Sequence, residues 1–284
     1  MRLTDAAKLQ DYLAQVSKDV DGYLQSGSAS VIWSLFDIQE ELGIGGDIAE
    51  IGVYHGRLFA FLCHALRPGE TAFAIDLFDS QPEIQGIQTE QDRLRFSSSN
   101  LQRTLAAAGI DADQTRIIAA DSQAMSGNHM RESVGTAKVR LFSIDGDHSR
   151  AGGRHDLGLA DAVLADGGVI LADDLFNTLC PSLTEGIIDF FRDDEPDLEP
   201  VAIITSNGPL KSGAAKLLLT RPPFAATYKA YLRLLNRDNF LHAVPFLGFD
   251  LVPVFDFQDA PVKYPLDDAV RGAVARYMAE EADR

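Results

Sequence analysis

Asp47-Ile-Ala-Glu-Ile51, followed by Gly52-Val-Tyr-His-Gly56 and Arg57-Leu-Phe-Ala-Phe-Leu-Cys-His-Ala-Leu66, decides how this chain reads. An apolar strand ends on an acid, Glu50, the backbone bends through two glycines, and a helix-forming run begins. Glycine lets the backbone pass close under a ligand, and the amides opening the helix face the same crevice. The spacing is Glu50-x-Gly52-x-x-x-Gly56, not the G-x-G-x-x-G that makes room for a pyrophosphate. Tyr54 and His55 crowd the loop and Glu50 repels a diphosphate, whereas a carboxylate suits a ligand carrying an ammonium or sulfonium group. An ordinary strand-to-helix turn would use the same residues, so the loop alone leaves both readings open.

Downstream, the same pattern recurs. Thr71-Ala-Phe-Ala-Ile-Asp76, Arg116-Ile-Ile-Ala-Ala-Asp121, Val139-Arg-Leu-Phe-Ser-Ile-Asp145 and Gly168-Val-Ile-Leu-Ala-Asp173-Asp174 are apolar runs that finish on aspartate. Asp76 lies about where a doubly wound fold places a carboxylate on ribose hydroxyls. Ligands of open parallel sheets bind outside the carboxyl ends of the strands, so these acids gather along one edge. Capping the next helix is the alternative for any one of them. Candidate strands and helices alternate through residue 195, which predicts an α/β fold, a doubly wound and mostly parallel sheet with helices on both faces.

The motifs Ala49-Glu-Ile-Gly-Val-Tyr-His-Gly56, Ala74-Ile-Asp-Leu-Phe-Asp79, Phe142-Ser-Ile-Asp-Gly-Asp-His-Ser149 and Leu164-Ala-Asp-Gly-Gly-Val-Ile-Leu-Ala-Asp-Asp174 span roughly residues 45–195. Over that span the chain resembles the class I S-adenosylmethionine-dependent methyltransferases. Within them it is most similar to the small-molecule O-methyltransferases of the macrocin/mycinamicin sugar type. The resemblance implies a seven-stranded sheet and a site for S-adenosyl-L-methionine. Glu50, Gly52, Tyr54 and Gly56 would surround the methionyl part, Asp76 the ribose, and Asp121 with Ser122 the adenine. It also implies Mg²⁺ on Asp145, Asp173 and Asp174, since hard carboxylate oxygens on strand ends suit a small divalent ion. Such an ion lowers the pKa of a bound hydroxyl and orients it.

Asp145 and His148 are the candidate catalytic pair, His148 as general base because an imidazole titrates near the operating pH. A histidine capping the following helix is the other reading. Catechol-type enzymes place a lysine in this loop, where this chain has Asp147-His148, which favours a sugar or other alcohol over a phenol. A nicotinamide-dependent oxidoreductase and a non-catalytic S-adenosylmethionine-binding protein are the alternatives. The missing third glycine and Glu50 oppose the first.

Composition bounds the remaining classes. Of 284 residues 46% are hydrophobic, and 25 basic against 42 acidic residues leave a formal charge of −17. That balance disfavours nucleic acid and anionic membrane surfaces, whose recognition relies on Lys and Arg. Cys63 and Cys180 have no metal or redox spacing, and no segment reads as a signal peptide or membrane span. The expectation is a cytoplasmic protein acting on a small-molecule hydroxyl acceptor.

Three regions are expected: a helical lead over residues 1–44, the methyltransferase core over 45–221, and a C-terminal extension over 222–284 that begins at Pro222-Pro223. The lead should hold helices over residues 5–24 and 30–42, and further helices are expected at 91–108, 151–165, 183–192 and near 267–282. The stretch 79–90 reads as a loop at the ligand edge, open to a lid role or a plain surface role. The extension would complete the substrate pocket or form a homo-oligomeric contact.

Overall fold

The computed structural model describes residues 11–24, 26–80, 96–136, 138–205, 214–235, 240, 242–254 and 266–282. Among these, nine strands form one sheet: β1 Asp47–Ile51, β2 Ala72–Asp76, β3 Thr115–Ala119, β4 Val139–Ile144, β5 Leu164–Leu175, β6 Glu199–Thr205, β7 Ala215–Thr220, β8 Val244–Phe246 and β9 Phe249–Val254. Their spatial order is β3-β2-β1-β4-β5-β7-β6-β9-β8. β1 to β5 are mutually parallel, while β7 runs antiparallel between β5 and β6. The expected seven strands are therefore present, and the C-terminal extension adds two more, β9 parallel to β6 and β8 antiparallel to β9. The strand order reverses at β1, which lies between β2 and β4, so a crevice opens at its carboxyl end.

The central strands read as nearly continuous apolar runs because both faces of the sheet are covered. Leu141, Val169 and Leu171 face one core with Ile32, Leu35 and Phe36 of α1 (Ser26–Glu41), Phe59 and Phe61 of α2 (Arg57–Cys63), and Tyr228 and Leu232 of α7 (Pro222–Leu235). Phe142, Ile170 and Ala172 face the other, with Met130 of α4 (Gly127–Val134), Leu157 of α5 (Arg150–Asp161), and Ile187 and Phe190 of α6 (Pro181–Asp193). The remaining helices are α3 (Ser98–Ala107) and α8 (Asp268–Ala282). Serine side chains start several of these helices: Ser97 accepts from the Asn100 amide and Ser149 from the Gly152 amide, each satisfying a donor the helix cannot.

Three boundaries differ from expectation. The helix read over residues 151–165 stops at Asp161, and Leu164 opens β5 instead. The Val163 carbonyl accepts from the amides of Lys138 and Val139, both at 3.0 Å, so pairing with β4 captures the chain where helical periodicity would continue. The first lead helix, expected over 5–24 with residues 5–10 outside the described ones, ends earlier, with a π-helical turn at Tyr12–Val16 and a last turn at Ser17–Asp19 before Val20 turns extended. Pro222-Pro223, where the extension was expected to begin, opens α7, as proline at a first helical turn is free to do. The helix expected from residue 91 begins at Ser98, with residues 81–95 outside the described ones.

Candidate active site

The site is assembled from the carboxyl ends of β2, β1, β4 and β5 together with the start of the antiparallel β7. Its floor is the glycine loop. Gly52 has φ +83° and Gly56 φ +86°. A Cβ on Gly52 would lie 1.7 Å from the Asp145 carbonyl oxygen, so the end of β1 passes directly against the end of β4. Between the glycines, Tyr54 also adopts a positive φ of 54° and is 42% exposed. His55 is buried, stacked on Phe96 at 5.2 Å between ring centroids, with Nδ1 3.2 Å from Asn100 Nδ2.

Asp76 closes this loop from the β2 side. Its Oδ2 accepts from the Tyr54 amide at 2.8 Å and its Oδ1 from the Leu77 amide at 2.6 Å. Burial still raises its pKa, against the lowering effect of those amides. Glu50 is only 2% exposed, and its Oε2 has no hydrogen-bond partner among the described residues. Burial first, then the negative charge of Asp145, pushes the Glu50 carboxyl well above its ordinary range, with Lys216 opposing. A buried acid with an open oxygen beside a glycine cradle matches a ligand that brings positive charge, since an unpaired buried polar atom is costly.

Asp121 caps the short turn Ser122–Ala124 by accepting from the Gln123 amide at 2.9 Å, and it is exposed. Ser122 is buried, with its carbonyl 3.1 Å from His155 Nε2. Gln123 reaches from the same turn to Asp156 of α5 at 3.0 Å. Asp121 and Ser122 thus sit on an anchored turn beyond Ala119, the end of β3, next to the strand that carries Asp76.

On the other side of the crevice, His148 Nε2 lies 2.8 Å from Asp174 Oδ2 and 3.3 Å from Asp145 Oδ1. Hydrogen bonds to Asp145 and Asp174 push the imidazole up to about 10 despite partial burial. Burial alone would raise Asp174, yet His148 and the amide of Asn177 hold it below the ordinary carboxylate value. Asp145, His148 and Asp174 each offer a ligand atom within 4.8 Å of the others, a spacing that fits one divalent cation. Asp173, expected alongside them, forms an ion pair with Lys216 instead.

Sequence reasoning missed Lys216. Its signal was a lone cation in the apolar run Ala215-Lys-Leu-Leu-Leu-Thr220, on a strand whose antiparallel direction puts its start at the acidic edge. The lead segment's role was missed as well. Tyr12 donates to the Arg57 carbonyl at 2.5 Å, and Arg57 donates to the Gly22 carbonyl at 2.8 Å, so the lead is fastened to the helix that leaves the glycine loop. The extension reaches the site's margin, where Phe246 packs edge-on against the half-exposed Phe176 at 5.4 Å. Of the loop expected over residues 79–90, only Asp79 and Ser80 are described, Asp79 accepting from Ser98 Oγ at 2.9 Å.

The family model described as "Methyltransferase domain" matches residues 49–175, the span from the glycine loop through Asp174. Over residues 49–175 the chain is similar to a methyltransferase domain. No curated protein matches the chain. Solved structures agree on the fold. The O-methyltransferase NovP superposes with TM-score 0.55 at 14% identity, covering 76% of this chain and 98% of its own. Cofactor-bound Rv0187 from MTB gives 0.51 at 16% identity, covering 76% and 89%. The O-methyltransferase TomG from Streptomyces achromogenes, in complex with SAM, gives 0.50 at 16% identity, covering 77% and 91%. Within the matched span, the glycine loop and the His148 group meet where Gly52 abuts Asp145.

Proposed function

We propose that this enzyme transfers the methyl group of S-adenosylmethionine to a hydroxyl of a small molecule, a sugar or other alcohol-bearing natural product, with assistance from Mg²⁺. The observation that carries the reading is the direct contact between the cofactor loop and the strand end bearing Asp145, with His148 and Asp174 converging on it. That contact supports a reading in which His148, at the end of β4, serves as the base for an acceptor held next to the cofactor loop. Glu50, Gly52, Tyr54 and Gly56 would hold the methionyl part, Asp76 the ribose, and Asp121 with Ser122 the adenine. The open Oε2 of Glu50 and the cradle at Gly52 and Gly56 fit a cationic cofactor.

In the reaction, the acceptor oxygen forms a bond to the methyl carbon while the carbon–sulfur bond breaks. Its electron pair stays on sulfur and gives S-adenosylhomocysteine. The hydroxyl proton passes to His148 Nε2. Asp145 and Asp174 orient that imidazole, and left alone they also hold it protonated. Asp145 and Asp174 would hold a divalent ion, which would supply positive charge beside His148 and acidify the acceptor hydroxyl. Binding the acceptor near attack distance is the remaining task.

Among the described residues no helix is long and apolar enough to cross a membrane. With the net charge of −17, this supports a cytoplasmic enzyme that binds neither nucleic acid nor lipid surfaces. The test is incubation with methyl-labelled cofactor and a panel of sugars, catechols and macrolides, with and without Mg²⁺. Labelled sugar or macrolide, dependent on the metal, is the expected product. Label on catechols alone would overturn the acceptor class, and saturable cofactor binding without transfer to any acceptor would favour the non-catalytic reading.

A further inference from the structure

Two successive side chains of α5, His155 and Asp156, hold the turn Ser122–Ala124 in place. His155 Nε2 lies 3.1 Å from the Ser122 carbonyl and 3.0 Å from the Met125 carbonyl. Carbonyls only accept, so this nitrogen carries the ring proton. Asp156 is fully buried, and its Oδ1 accepts from Gln123 Nε2 at 3.0 Å. Its Oδ2 packs on the loop that follows β4, where a Cβ at Gly146 would lie 2.7 Å from it. The same Gln123 nitrogen lies 3.3 Å from Ser122 Oγ. Both hydrogens of the Gln123 NH₂ group are therefore in use.

We propose that Asp156 is a positioning residue that fixes which way the Gln123 carboxamide points, leaving its oxygen to accept from the amino group of the adenine ring. This rests on the S-adenosylmethionine reading given above and deepens its adenine end. A carboxamide can present either of two edges, because its oxygen and its NH₂ group are nearly alike in shape and opposite in hydrogen bonding. An ionised carboxylate removes the choice, since it only accepts. Burial lifts Asp156 to about 6, so at pH 8 it is ionised and the NH₂ of Gln123 must turn toward it. Oε1 is then the polar atom of Gln123 left for a ligand. Adenine meets it with a donor, whereas hypoxanthine carries a carbonyl at that position and sets acceptor against acceptor. Asp121, at the start of the same turn, is an acceptor as well. Asp156 is too deeply buried to touch a ligand and acts only through Gln123.

The test is calorimetric titration of the full chain at pH 8 with S-adenosylhomocysteine and with S-inosylhomocysteine, in which a carbonyl replaces the adenine amino group. The parent should favour the adenine compound by about tenfold or more, because the mismatch leaves buried acceptors without a donor. Asp156→Asn keeps the shape of the side chain but lets Gln123 turn either way. The preference should then fall to about threefold or less, with S-inosylhomocysteine bound more tightly than by the parent. Gln123→Met changes only a half-buried turn residue and should give the same low preference. Combining the two changes should lower it no further, the non-additivity expected of residues that act in series. An Asp156 that merely supports the fold would weaken both compounds alike and leave their ratio at the parent value, which overturns the proposal. If Asp156→Asn does not fold, a parent-like ratio in Gln123→Met overturns it equally. A parent chain that binds neither compound overturns the S-adenosylmethionine reading itself, and the lack of any saturable binding tells that result apart.

Discussion

Gly52→Ala should damage this protein more than any comparably small change at its ligand edge. The added methyl meets the Asp145 carbonyl oxygen at 1.7 Å and the Gly146 nitrogen at 2.8 Å, both backbone atoms. Restoring ordinary contact requires the two strand ends to part by roughly 1.5–2 Å. The φ of +83° adds to this, because an L residue in the left-handed region costs about 1–2 kcal/mol. Overpacking typically costs about 1–3 kcal/mol, giving a destabilisation on the order of 2–5 kcal/mol.

Urea unfolding should therefore show a lower midpoint with an unchanged slope, and calorimetry should show weakened S-adenosylhomocysteine binding. Gly56→Ala is the comparator. It shares the positive φ, but its methyl meets Leu101 Cδ1 at 2.3 Å, the end of a side chain that can rotate away. Its loss should stay nearer the conformational cost, about 1–2 kcal/mol. Equal losses in the two variants, or parent-like stability in Gly52→Ala, would refute the idea that contact between β1 and β4 sets the geometry of the site.

Three further outcomes are expected. His148→Ala should lower turnover by about 10²–10⁴-fold, the usual contribution of a general base, with S-adenosylhomocysteine affinity nearly intact by calorimetry; parent-level turnover would dismiss the residue. Arg140, fully buried and bonded to Glu70, Gln39 and the Ala65 carbonyl, should on replacement by Ala cost roughly 3–5 kcal/mol in urea unfolding, since it leaves Glu70 without its partner. Burial first raises Asp156 from its ordinary 3.8 to about 6, so the folded state holds this proton more tightly than the unfolded one. Its contribution to stability is greatest below about pH 4 and is lost as pH rises through 6. Asp156→Asn should narrow the difference in urea midpoint between pH 5 and 7.5, and an unchanged difference would exclude that linkage.

The acidic edge was legible because apolar runs that end on Asp76, Asp145 and Asp173-Asp174 name both the strands and their carboxyl ends. Glu50 and its glycines were legible for the same local reason. What was not legible depends on contacts distant in sequence. Nothing near Asp173 announces Lys216, forty-three residues later, whose ammonium pairs with that carboxylate. Leu164 continues a helical period and becomes a strand only because β4 supplies the pairing amides. The lead's attachment to Arg57 depends on where Gly22 passes, a crossing no period encodes. The two extra strands were hidden likewise, since Phe249–Val254 finds its partner in β6, across an intervening helix.

Those two strands also change how the sheet ends. Without them β6 would present Ala202, Ile203 and Ile204, now paired with β9, as an open row of amides and carbonyls, ready to accept a strand from a second molecule. The tail occupies that row and leaves β8 outermost among the described residues, three residues long with Pro245 at its centre. Proline lacks the amide that a further strand would need, and so short a segment templates poorly. The extension therefore acts as a stopper against edge-to-edge aggregation, and a chain shortened to end after Leu235 would lose solubility as β6 became sticky.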